Sequence, residues 1–100
     1  MRIIVLFNLL PGVAVSDYEN WAKTRDLPGV RALPSVDDFQ VYRSTGLLGS
    51  DAAPPYAYIE IIDVADMDRF QADVATPEMQ AIAAEFGKIA DATFVTTEVL

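Results

Sequence analysis

The sequence predicts one α+β domain of the ferredoxin-like order βαββαβ, with two helices covering one face of a four-stranded antiparallel sheet. The chain has 100 residues, which suits a single domain over residues 1–100. Three β-branched or aromatic runs are separated by segments with helical spacing of apolar residues. Apolar residues on both faces of the strands further predict that two copies pair as a dimeric α+β barrel.

The first half of the chain predicts a strand followed by a helix. Arg2–Leu9 is an apolar run closed by a Pro-Gly pair, which is typical of a strand that ends in a turn. Ser16 and Glu19 have the spacing of a capping box, so a helix is expected to begin there. It is expected to end near Asp26, because Pro28 disfavours continued helix in the residues before it.

The second half predicts three strands and an interrupted helix. Asp66 can cap a first helical turn, and Thr76 can cap a second one with Pro77 in its favoured first position. The helix is therefore expected to break near Ala75. The strands are expected at Asp38–Thr45, Tyr56–Val64 and Ala92–Leu100, and Gly46–Pro55 is expected to be an exposed loop.

The prediction of a dimer rests on the alternation of side chains along two strands. In strand one, both sets are apolar: Ile3, Val5 and Phe7 on one face, and Ile4 and Leu6 on the other. In strand three, Ile59 and Ile61 oppose Tyr58 and Ile62. Helices cover only one sheet face, so the open face needs a second copy to bury it, and Ile62 is expected to contact that partner.

Composition excludes several classes of function. Fifteen acidic and seven basic residues give a net charge of −8, which leaves no basic surface for nucleic acid. The chain has no Cys or His, so it lacks a thiol nucleophile and the commonest metal ligand, and no metal or cofactor is expected. The first sixteen residues superficially imitate a signal peptide, but Asn8 and the Pro-Gly pair interrupt the apolar run. A cytoplasmic protein with no membrane partner is expected.

Several segments resemble the RedY-like protein HapK family of the dimeric α+β barrel superfamily. They are MRIIVLFNL at the start, YENWAKTRDLPGVRAL in and after the first helix, STGLLG in the loop, and PYAYIEIIDVADM running into DVATPEMQ. The resemblance covers nearly the whole chain. It implies the barrel fold, the dimer and an association with prodigiosin-type red pigment biosynthesis in secondary metabolism. It supplies no catalytic residue that can be transferred.

Glu60 is the most informative polar residue, because it lies between Ile59 and Ile61 in an otherwise apolar strand. It shares a face with Tyr58, and this face is expected to line the barrel interior while the two isoleucines pack on the helices. A half-buried carboxylate beside a phenol can hold a ligand or move a proton. The alternatives are a structural ion pair with Arg43 across the subunits, or a solvated position on the barrel rim.

Asn8 and Trp21 form a second candidate pair. Some cofactor-free oxygenases of the barrel superfamily use an Asn and a Trp near the pocket, but a strand-end Asn is also common in turns and a helical Trp is commonly part of the core. A haem site would normally need a His. The full set of predicted ligand-binding residues is Asn8, Tyr18, Trp21, Tyr42, Arg43, Tyr58 and Glu60.

Three functional hypotheses follow from these observations. The first is a small dimeric protein of secondary metabolism that acts on an apolar aromatic or conjugated compound, with a cofactor-independent monooxygenase as a variant. The second is a non-catalytic protein that binds a hydrophobic metabolite in the same pocket. The third is a dimer whose interior is filled by side chains and holds no ligand.

Overall fold

The computed structural model describes all 100 residues, from Met1 to Leu100. Its strands are β1 (Arg2–Leu9), β2 (Val36–Arg43), β3 (Tyr58–Val64) and β4 (Ala90–Thr96), and its α-helices are α1 (Val15–Trp21), α2 (Leu27–Arg31), α3 (Met67–Val74) and α4 (Pro77–Gly87). The strand order is β2-β3-β1-β4, and every neighbouring pair is antiparallel. These findings confirm the predicted α+β fold. None of the helices has the length and apolar character needed to cross a bilayer.

The first helix differs from its prediction at both ends. It begins at Val15 after Ala14, with no side-chain cap, so the predicted Ser16 capping box is wrong. It also continues beyond Asp26 through a π-helical turn, Ala22–Asp26, that leads directly into α2. In this turn the N–H of Leu27 donates to the carbonyl five residues earlier. The wider turn accommodates the Pro28 ring, which would clash with a carbonyl in a regular helix.

The second pair of helices follows the prediction closely. Asp66 caps α3 by accepting a hydrogen bond from the N–H of Arg69, and Thr76 caps α4 by accepting one from the N–H of Met79. The chain breaks between the two helices at Ala75. Where α2 crosses α4, a Cβ at Gly29 would lie 2.7 Å from the Cδ1 of Ile82, so any larger residue would require the end of the Ile82 side chain to shift.

The helices cover the sheet face that carries Phe7 and Tyr58, which stack on each other at 5.3 Å between ring centroids. Phe7 is fully buried, and it also makes edge contacts with Tyr18 of α1 and Phe86 of α4. The buried residues of β1 and β3 on this face are Ile3, Val5, Phe7, Tyr58, Glu60, Ile62 and Val64. The half-buried apolar residues of β1 and β3 on the open face are Ile4, Leu6, Ile59 and Ile61.

This arrangement corrects the predicted orientation of β3. Tyr58, Glu60 and Ile62 lie beneath the helices of their own protomer, whereas the sequence analysis placed Ile59 and Ile61 there. Ile62 is part of the core, so its predicted contact with a partner copy is wrong. Both sets of side chains are apolar, and strand periodicity shows which residues share a face but not which face the helices cover.

The position of Phe7 generates a prediction about stability. Phe7→Ala is expected to lower the free energy of unfolding by about 3–5 kcal/mol, because it removes a fully buried ring and leaves a cavity among aromatic neighbours. Urea denaturation followed by circular dichroism measures the change. The control Leu48→Ala removes a fully exposed side chain, and its stability should match that of the wild type. Equal stability of both variants would show that Phe7 does not anchor the core.

Candidate functional site

A cavity of about 460 Å³ lies between the sheet and the helices. Thirteen of its seventeen lining residues are hydrophobic, so the interior is not filled by side chains and favours an apolar occupant. The third hypothesis from the sequence, a dimer whose interior is filled by side chains, concerns two paired copies and stays a prediction. The principal apolar side chains of the lining are Val30, Phe39, Ile62, Phe70, Met79 and Phe86.

Glu60 faces this cavity from the middle of β3. Its residue surface is 4% exposed, and its Oε2 atom is buried without a hydrogen-bond partner. Burial raises the pKa of Glu60 to about 8, and the negative charge of Asp26 contributes in the same direction. A carboxyl group in this state can both donate and accept a proton near neutral pH.

Asp26 is the second carboxyl group of the cavity, and the sequence analysis did not identify it as a site residue. It is the last residue of the π-helical turn and is 7% exposed. Burial alone raises its pKa to about 6. The sequence analysis expected the helix to end here and therefore interpreted Asp26 as a boundary residue. The available signal for the π-helical turn was Pro28, because a proline inside a helix requires a local distortion.

Tyr18 of α1 is a buried polar residue outside this cavity lining, and the charges of both carboxyl groups affect it. Its residue surface is 1% exposed and its hydroxyl has no hydrogen-bond partner. Burial raises the pKa of Tyr18 far above its ordinary value, and the charges of Glu60 and Asp26 raise it further. The hydroxyl is therefore protonated at neutral pH and can act as a hydrogen-bond donor.

Arg43 does not pair with Glu60, which corrects the structural alternative considered from the sequence. Arg43 forms an ion pair with Glu19 of α1, with 2.9 Å between Nε and Oε2, and the hydroxyl of Tyr58 donates to the same oxygen at 2.8 Å. The residue opposite Glu60 on β2 is Val41, whereas Arg43 lies opposite Tyr58. This register places the guanidinium at the end of the strand, where it is mostly exposed.

Asn8 and Tyr42 lie away from the cavity lining. The side chain of Asn8 donates to the carbonyl of Pro55 at 3.0 Å and accepts from the N–H of Ala57 at 2.8 Å. It therefore holds the end of the long loop against the end of β1. Tyr42 lies opposite Ile59 on the open sheet face and is half exposed. Ligand contact by either residue stays a prediction.

Trp21 connects α1 to α4. Its Nε1 donates to Oε1 of Glu85 at 2.9 Å, and its ring stacks on Phe86 at 5.9 Å between centroids. Arg25 also forms an ion pair with Glu85, and the two contacts lower the pKa of this carboxyl to about 2. Of the seven predicted residues, Glu60 alone lines this cavity. The structure brings Tyr18, Arg43 and Tyr58 together at a second, smaller pocket of about 150 Å³, and Trp21 lines neither pocket.

The family model described as REDY-like protein HapK matches residues 1–100 of this chain. The crystal structure of HapK from Hahella chejuensis is similar to it, with a TM-score of 0.79 and 28% identity over 100% of this chain and 93% of that one. Among curated proteins, none matches the sequence significantly.

Two further solved structures share the fold. SnoaB, a cofactor-independent oxygenase from Streptomyces nogalater, has a TM-score of 0.71 and 16% identity over 99% of this chain and 93% of its own. A dimeric ferredoxin-like protein of unknown function from Thermobifida fusca has a TM-score of 0.69 and 23% identity over 96% of this chain and 89% of its own. At these identities the likeness establishes the fold.

The raised pKa values of the two carboxyl groups generate a prediction about stability and pH. Below pH 4.5 Glu60 is protonated in both the folded and the unfolded chain, whereas between pH 4.5 and about 8 only the unfolded chain loses the proton. Stability is therefore lost as pH rises through this window, by up to about 1.4 kcal/mol per pH unit. Glu60→Gln should remove this loss. The free energy of unfolding of the variant, relative to that of the wild type, should therefore rise by about 2 kcal/mol or more between pH 5 and pH 8.

Chemical denaturation at several pH values measures this difference. Asp26→Asn should remove a separate loss that lies between pH 3.8 and about 6, because the pKa of Asp26 is raised over that window. Glu78→Gln, which changes an exposed glutamate outside the cavity lining, is the matched control and should follow the wild type. Parallel curves for wild type and Glu60→Gln would mean that Glu60 is solvated in the folded protein.

Proposed function

The chain belongs to the REDY-like protein HapK family, and from this premise we propose that it binds an apolar aromatic or conjugated small molecule in its interior cavity, with Glu60 as the principal polar contact. The observation that carries the proposal is the unpartnered Oε2 of Glu60 inside an otherwise apolar cavity. A buried carboxyl group without a donor costs free energy, and a ligand that supplies the donor offsets that cost. We also propose that the protein binds this ligand in the cytoplasm, as part of secondary metabolism.

The shape and lining of the cavity support a ring-shaped ligand. Its volume of about 460 Å³ falls in the range of small-molecule pockets. Phe39, Phe70, Phe86 and Phe94 contribute aromatic rings to the lining. Aromatic side chains favour stacked or edge contacts with flat rings, and each such contact adds about 0.5–1.5 kcal/mol to area burial.

The same carboxyl groups equip the cavity for proton transfer on a bound compound. With pKa values of about 8 and about 6, Glu60 holds a proton at pH 7 while Asp26 is mostly ionised. One group can then donate a proton while its neighbour accepts one. This observation favours an enzyme over a passive binding protein. Turnover of a bound compound that is lost in Glu60→Gln would distinguish the two.

A pair of neighbouring alanines on α4 provides the test of binding. Ala83 lines the cavity and Ala84 does not, although both are exposed helix residues. Ala83→Trp should weaken binding of the neutral fluorescent probe N-phenyl-1-naphthylamine about tenfold, because the indole occupies part of the cavity. Ala84→Trp should bind the probe like the wild type. Equal affinity in both variants, or no binding to the wild type, would reject the cavity as a ligand site.

We also propose that the open sheet face forms a homodimer. Ile4, Leu6, Ile59 and Ile61 form an apolar patch on this face, and burial of such a patch favours association. Two structural neighbours that are described as dimeric ferredoxin-like proteins support the proposal.

Light scattering tests the dimer. The wild type should have twice the chain mass of 10.9 kDa at micromolar concentration, and Ile61→Asp should have the single chain mass with its helical content retained. Ala72→Asp, which adds the same charge to an exposed residue of α3, should remain dimeric. A monomeric wild type across the micromolar range would reject the proposal.

A further inference from the structure

The cavity carries negative charge and no positive charge. Its four non-hydrophobic lining residues are Asp26, Glu60, Gly87 and Asp91, and no lysine or arginine is among them. Asp91 is exposed and lies opposite Asn8 on β1, so its side chain points to the open sheet face, whereas Asp26 and Glu60 are more than nine-tenths buried. A ligand therefore meets two acidic side chains, both in the interior of the cavity.

No basic residue of the surrounding elements belongs to the cavity lining, which also excludes Lys23, Arg69 and Lys88. Arg43 pairs with Glu19, Arg25 pairs with Glu85, and the Nε of Arg31 donates to the carbonyl of Phe39. Burial is the only cause that raises the pKa of Asp26, and no donor or cation of the protein lowers it. Since that pKa of about 6 lies below neutral pH, the two carboxyl groups together keep a negative charge at pH 7.

From this distribution of charge we propose that the ligand is a flat apolar ring system that carries a cationic nitrogen group with N–H donors, such as an amidinium, an iminium or a protonated nitrogen heterocycle. The nitrogen group binds at Glu60 and Asp26, and the ring occupies the apolar part of the cavity. The inference rests on the proposed function and specifies its ligand class.

Two physical arguments support a cation over a neutral or anionic ring. An N–H donor on a cation forms charge-assisted hydrogen bonds with carboxylates, which are about twice as strong as neutral ones. The aromatic lining adds to this preference, because a cation near the face of a phenyl ring is attracted by the ring quadrupole. An anionic ligand would place a second negative charge beside the buried, ionised Asp26, at a cost that the apolar surroundings increase.

Three probes with one ring system test the charge preference. They are 2-naphthamidine, which is cationic, 2-naphthamide, which is neutral, and 2-naphthoate, which is anionic. Isothermal titration at pH 7 should show that the wild type binds the amidine at least about tenfold more tightly than the amide, and the naphthoate most weakly, because a charge-assisted hydrogen bond is stronger than a neutral one.

Two variants assign the preference to the carboxyl pair. Glu60→Gln and Asp26→Asn should each reduce the preference for the amidine over the amide about tenfold, while affinity for the amide changes little. Glu78→Gln makes the same substitution at an exposed glutamate outside the cavity lining and should keep the preference of the wild type. Circular dichroism of each variant establishes that it is folded before binding is compared.

The possible failures are distinguishable. If N-phenyl-1-naphthylamine binds the wild type but the amidine has no advantage over the amide, the cationic ligand class is wrong and the cavity remains a site for neutral rings. A preference that persists unchanged in both Glu60→Gln and Asp26→Asn would also overturn the inference. If neither the neutral probe nor any naphthalene compound binds, the proposed function fails together with it.

Discussion

The pairing register of β1 with β3 determines which side chains lie beneath the helices. Val5 is directly opposite Glu60, and Phe7 is opposite Tyr58, so the two strands present one continuous set of residues to the helices. A slip of one residue would turn the whole set to the open face, because neighbouring side chains of a strand point in opposite directions. The aromatic contacts of Phe7 with Tyr18 of α1 and Phe86 of α4 stabilise this register, and they thereby keep Glu60 in the interior.

The interior acidic pair opposes folding, which distinguishes it from the ion pairs on the surface. Arg43 with Glu19 and Arg25 with Glu85 link the helices to the rest of the protein and have every charge matched. Glu60 has no such match, and a hydrophobic residue of similar size would suit the surrounding core better. Proteins commonly retain groups of this kind where activity requires them, at the expense of stability.

Strand periodicity and helix caps were sufficient to predict the fold. Asp66 and Thr76 were identified as caps from sequence because the interaction involves only neighbouring residues, and the same holds for the apolar run of β1. The site required information from distant parts of the chain. Glu60 was identified by its apolar neighbours, but its partners depended on the orientation of the whole sheet. Asp26 was missed because a π-helical turn depends on how the two ends of the helix pack, which local propensity does not encode.

The side chain of Asn8 fixes the end of the long loop to β1, so a change within the loop need not alter the rest of the protein. Its amide uses both of its polar atoms on the backbone at Pro55 and Ala57, as a neighbouring strand would, and Ser44 holds the other end of the loop through Tyr56 and Ala57. Changes of length between these anchor points alter only the entropy of loop closure, which grows by about 0.6 kcal/mol for each doubling. The segment around Asp51 is thus a place where relatives can diverge in length, or where a reporter peptide can be inserted, without disturbing the interior.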